Sequence, residues 1–160
     1  MRRALWALLG GGVLASAVPA APAPEVLAQR TVTQAARTLA GQAAGEVHAT
    51  VQLVRQGDAL QARASLTGTL TGPAVVNGTL RLVDGNGQEL TRSNPRQLAP
   101  LRAGQAAELV TPTTSATGEA PCVDAQLTVW SGAQAPGQDA AAPRGPELRP
   151  TVFALRLCPP

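Results

Sequence analysis

The sequence has no Ile, no Tyr and no Lys, and it has only one His, one Phe, two Trp and two Cys. Each shortage removes a class of chemistry. Aromatics make up 2% of residues against 44% hydrophobic, so the apolar content is mainly Ala, Val and Leu. A core of that kind is thin, because small aliphatic side chains bury little area at roughly 25 cal/mol per Å². His48 alone cannot build a histidine-based metal site, and no other set of ligands has a motif spacing. The absence of Cys-x-x-Cys excludes zinc ribbons and thioredoxin-type redox chemistry. No metal and no cofactor is expected.

The lack of Lys and Tyr also explains a sequence pI of 10.1. All 13 basic residues are Arg, and beyond Arg2 and Arg3 they stand singly along the chain. Setting that pair aside leaves 11 Arg against 10 acidic residues. No basic stripe forms, and nucleic-acid binding is not expected.

Residues 1–20 read as a signal peptide. Arg2-Arg3 forms a short positive start, Ala4 to Val18 an apolar run, and Ala15-Ser16-Ala17 and Val18-Pro19-Ala20 each place small residues for cleavage. The run is shorter than the ~20 residues of a membrane span. It also contains Gly10-Gly11-Gly12 and meets prolines directly afterwards. No Cys sits at a cleavage position and no second apolar anchor follows. The expectation is a chain exported to the periplasm, the cell envelope or the medium, with no membrane span after cleavage.

Residues 21–45 are rich in Ala, Pro, Gln and Thr. Val32, Ala35, Ala36 and Leu39 recur at helical spacing before Gly41 and Gly45, so this stretch is expected to be a strap, either flexible or a short helix. From Glu46 the period becomes two. Val47, Ala49, Val51 and Leu53 alternate with polar residues, as do Leu60, Ala62, Ala64 and Leu66, and then Val76, Leu80 and Leu82. Asp84-Gly85-Asn86-Gly87 between such runs is a hairpin turn, since Asp-Gly and Asn-Gly accept positive φ. As a calcium loop it fails, because its twelfth position is Pro95 instead of Glu. Leu98 to Gln105 reads as a loop, 107–111 as a short strand, 112–121 as a polar linker and 131–150 as a mobile tether. Strands at roughly ten-residue spacing with turns between them predict an all-β antiparallel sandwich over residues 46–160.

The last two strands specify their own register. Cys122 opposite Cys158 places Asp124 opposite Arg156 and Gln126 opposite Ala154 on one face. The same register places Val123 with Leu157, Ala125 with Leu155 and Leu127 with Phe153 on the other. Opposed cysteines are close enough for a disulfide, and export favours its formation. Closing a loop of about 37 residues stabilises by roughly 4 kcal/mol on the chain-entropy model.

No catalytic residue is assigned. Ser65, Ser93, Ser115 and Ser131 lie outside any Gly-x-Ser-x-Gly elbow, and no pair of carboxylates has a recognisable context. Asn77-Gly78-Thr79 matches the N-glycosylation triplet. Trp130 is the candidate contact residue, on the face opposite Phe153; its alternative role is to pack against Pro150.

Leu66 to Leu70, Val75 to Leu82, Asp84-Gly85-Asn86-Gly87 and Leu101-Arg102-Ala103-Gly104-Gln105 together resemble exported immunoglobulin-like modules of the CARDB or FxLYD type. The resemblance covers residues 47–130, with Leu80-Arg81-Leu82-Val83-Asp84 where FxLYD modules carry aromatics. It implies an immunoglobulin-like sandwich and a non-catalytic envelope or adhesion-type role. The functional expectation is therefore a binding or structural module, not an enzyme, that contacts protein partners through strand edges or loops. Two alternatives stand beside it. One is a small secreted hydrolase whose site joins His48 to a distant Ser and carboxylate; the other is a protease inhibitor presenting residues 131–150.

Overall fold

Two-residue alternation runs further along this chain than the apolar pattern suggests. The computed structural model describes residues 17–115, 120–132, 134, 135, 137 and 146–160. The expected signal peptide lies largely outside the described residues, as does half of the 131–150 loop. Ten strands follow in order: β1 (Glu25–Arg37), β2 (Ala43–Gln56), β3 (Ala59–Gly68), β4 (Ala74–Val83), β5 (Glu89–Arg92), β6 (Ala99–Leu101), β7 (Ala107–Val110), β8 (Thr114–Ser115), β9 (Cys122–Ser131) and β10 (Thr151–Leu157). They form two antiparallel sheets. The first has the order β1-β2-β3-β7, with β8 also pairing β3; the second has the order β10-β9-β4-β5, with β6 also pairing β4. The chain is all-β and sandwich-like, as the alternation predicts. Among the described residues no helix is long and apolar enough to cross a membrane.

Alternating side chains from both sheets meet in one core. The first sheet contributes Val47, Ala49, Val51, Leu53, Leu60, Leu66 and Leu109; the second contributes Val76, Leu80, Leu82, Val123, Leu127 and Phe153. Phe153 is the one aromatic in this core and is 1% exposed. Burying such a side chain contributes about 1.5–3 kcal/mol, so the only Phe is placed where its area counts most. Where strands end short, buried hydroxyls continue the ladder. Ser93 Oγ accepts from Leu80 N at 2.9 Å while Ser93 N donates to Leu80 O. Thr111 does the same against Ala62. Each replaces a missing backbone partner, which keeps buried polar groups satisfied.

The β9–β10 register is the one the sequence specifies: Asp124 pairs with Arg156, Gln126 with Ala154, Leu127 with Phe153 and Val123 with Leu157. Cys122 and Cys158 form a disulfide with their Cα atoms 4.3 Å apart. Asp84-Gly85-Asn86-Gly87 is a hairpin turn, tied by Asn86 N and Gln88 N, both donating to Asp84 Oδ1.

Three expectations need correction. The flexible or helical strap over 21–45 is instead a long strand, β1, paired with β2 from Glu25↔Arg55 to Arg37↔Ala43. Its residues carry little apolar surface, and the pairing is decided by the hydrogen-bonding edge that β2 offers, together with Thr31, Val32 and Thr33, which favour strands. The loop expected over 98–105 contains β6, which pairs Ala99 with Val76 and Leu101 with Ala74. Within the linker expected over 112–121, Thr114 and Ser115 pair with Leu60 and Ala59.

Part of the 131–150 segment is also ordered by contacts. Leu148 is buried and bridges to Thr38, Arg149 N donates to Arg37 O at 2.8 Å, and Leu39 N donates to Glu147 O at 2.9 Å. The Arg149 guanidinium adds two hydrogen bonds to Leu39 O. These bonds lace the end of β1, in the first sheet, to the approach to β10, in the second.

Candidate binding surface

The outer face of the first sheet is built by the polar half of each alternating strand. Cross-strand register sets Thr31, Thr50, Ser65 and Glu108 in one row, and Gln29, Gln52, Arg63 and Val110 in the next. The side chains bond across the strands. Thr31 and Thr50 hydroxyls lie 2.9 Å apart, Gln52 Nε2 donates to Gln29 Oε1 at 2.7 Å, and Thr33 Oγ1 lies 2.7 Å from His48 Nδ1. Arg63 Nε donates to Gln61 Oε1, whose amide in turn donates to Thr111 O. The result is a flat, preorganised polar face with a shallow hollow over Gln52, Arg63, Ser65 and Glu108.

The side of β1 away from β2 pairs with no strand among the described residues. From Gln34 onward this edge is taken, because Gln34 Nε2 donates to Val152 O and Thr38 bridges to Leu148. From Glu25 to Thr33 it is open among the described residues. About nine residues span roughly 30 Å of backbone N–H and C=O groups. An edge of that length is a template for strand addition.

His48 lies on the polar face of β2, as its alternation requires. One ring nitrogen is engaged by Thr33, and its cross-strand neighbour on β3 is Thr67. Among the described residues its one side-chain hydrogen bond is the one to Thr33. Trp130 lies on the outer face of the other sheet, half-buried opposite Val75, and its Nε1–H donates to Asn77 Oδ1 at 2.7 Å. Asn77 thus sits inside β4 with its side-chain oxygen engaged by Trp130. Cys122 and Cys158 close the opposite end of β9 and are both oxidised.

Charge on the second sheet gathers around Glu89. It accepts from Arg92 at 2.6 and 2.7 Å and from Arg81 at 2.9 Å. Hydrogen bonding from Arg92 is the main cause that holds its carboxyl below the ordinary carboxylate range; desolvation opposes it, and the charge of Arg92 and the hydrogen bond and charge of Arg81 add smaller lowering contributions. Among the described residues no group of three or more His, Cys, Asp or Glu could hold a metal ion.

No family model matches this sequence, and no curated protein matches it. Among solved structures, the chain is similar to the KRT10-binding region domain of the pneumococcal serine rich repeat protein PsrP, at 10% identity and a TM-score of 0.40. The match covers 83% of this chain and 99% of that one.

The open edge of β1 is the feature that reading the sequence missed. Its signal was the Thr31-Val32-Thr33 triplet, which favours a strand inside a stretch whose Ala and Gln content favours a helix.

Proposed function

We propose that this chain is an exported, non-catalytic binding module of the cell envelope or the extracellular space, and that it holds a protein partner by strand addition along β1. The observation that carries this reading is the open edge from Glu25 to Thr33, bordered by the polar face of the first sheet. Main-chain bonds along such an edge supply affinity, while alternate side chains supply selectivity. Trp130 offers a separate contact point on the other sheet.

The fold reading behind this proposal is immunoglobulin-like. On this reading β2, β3 and β7 correspond to strands A, B and E, and β5, β4, β9 and β10 to C′, C, F and G, which the order of strands in the two sheets supports. The disulfide then joins F to G within one sheet, in place of the B-to-F bridge of antibody domains. Export is supported by the signal-like start of the sequence and by a disulfide, which persists in oxidising compartments.

The test uses photocrosslinking groups placed singly at Thr31 and at Arg96, followed by identification of what each captures from envelope extract. Crosslinks to one protein from Thr31 and none from Arg96 are expected. Replacing Val26 and Thr31 with Lys, which blunts strand edges, is expected to abolish that capture in a folded protein. Capture that persists in the double variant would move the contact off β1. Hydrolysis of ester or peptide substrates that disappears in His48→Ala would overturn the non-catalytic reading.

A further inference from the structure

One end of the sandwich, away from the β1 edge, opens into a cleft of about 590 Å³ between the β3–β4 turn, β6 and the turn that follows it. Its size falls within the range of small-molecule sites, roughly 300–1,000 Å³. The walls are aliphatic: Leu70, Pro73, Val75, Leu98, Pro100 and Leu101. Leu101 belongs to the core and Val75 is buried on the outer face of β4, and both are held by the β4–β6 and β4–β9 pairing. Leu70 and Leu98 are half-buried and Pro100 is exposed, so apolar surface stands open to water.

Among the described residues Arg102 is the one charged residue that lines this cleft. Among the described residues its guanidinium has neither an ion pair nor a side-chain hydrogen bond, whereas Arg81, Arg92 and Arg156 each face a carboxylate. The described lining carries no carboxylate that would compete for it and no aromatic ring on which a sugar or base could stack. Aliphatic walls beneath a lone cation match one ligand class.

We infer that this cleft binds a single aliphatic chain ending in a carboxylate, with the chain along Leu70, Leu98 and Leu101 and the head group on Arg102. Covering the aliphatic walls releases water at roughly 25 cal/mol per Å². The guanidinium then offers the paired donors that a carboxylate accepts in a bidentate fork. Neither contribution depends on the partner bound along β1, so this site stands or falls separately.

The experiment titrates the intact protein with decanoate, below its aggregation threshold, and follows methyl NMR signals together with calorimetry. Saturable one-to-one binding is expected, with shifts confined to the methyl groups of Leu70, Val75, Leu98 and Leu101. Arg102→Gln, an exposed change, is expected to weaken decanoate by about tenfold, the scale of one charge-assisted hydrogen bond. The uncharged analogue decanol is expected to bind more weakly and to be indifferent to that change. Ala103→Trp, which fills the exposed mouth, is expected to weaken both ligands. Absence of saturable binding, or equal decanoate affinity in Arg102→Gln, would overturn the proposal. So would concentration-dependent broadening of the cleft methyls without ligand, which would assign the cleft to a second copy of the chain. Shifts produced by a capped leucine peptide and not by decanoate would assign it to peptide, with the same consequence.

Discussion

Two single residues show how much of this fold rests on local chemistry. Gly78 sits inside β4 at φ 151°, and a Cβ there would run into the carbonyl oxygen of Gln126 on β9. Both the backbone angle and the backbone contact demand glycine, so Gly78→Ala is expected to destabilise by about 3 kcal/mol, read from denaturant unfolding. Glu89 works through charge instead. Its pKa is lowered in the folded chain, chiefly by the Arg92 hydrogen bonds, so the stability it adds is present above the ordinary carboxylate pKa and is lost as pH falls through the lowered value. An NMR titration should place the Glu89 carboxyl midpoint below the usual 4.5, and Arg92→Gln should move it back upward. The pair is surface-exposed, so the accompanying change in stability should be small and weaker in high salt.

At the scale of elements, legibility followed the density of constraints. β9 and β10 were readable down to individual pairs because two cysteines, one charge pair and an apolar face all demand the same register. β2, β3 and β4 were readable from alternation alone, since Val, Leu and Ala on one face leave only one orientation to a half-buried strand. β1 was not. Only Ala36 on it is buried, and its Ala, Gln and Arg content favours a helix when neighbours are ignored; β2 beside it and the lacing at Thr38 and Arg149 decide otherwise. The aliphatic cleft was equally hidden, because Leu70, Leu98 and Gly132 come from segments far apart in sequence and meet only once both sheets stand. The covalent link between the best-specified strands has its own signature. Replacing Cys122 and Cys158 together with Ala should lower stability by roughly 4 kcal/mol on the chain-entropy model, measured by denaturant unfolding beside the oxidised parent. A loss near zero would mean that the strand pairing already supplies the constraint.

At the scale of the whole molecule, two sheets enclose one aliphatic core and are joined along one side by Arg37, Leu39, Glu147 and Arg149. The disulfide that closes the β9–β10 pair also sets how the chain carries mechanical load. Tension applied beyond Cys158 passes directly to Cys122, a sequence separation of 36, leaving the residues between them shielded from the pull. At ~3.3–3.6 Å per residue that segment holds roughly 120–130 Å of length in reserve. Stretched singly under oxidising conditions, the molecule should extend without it; after thiol treatment, β10 should peel first and the extra length appear.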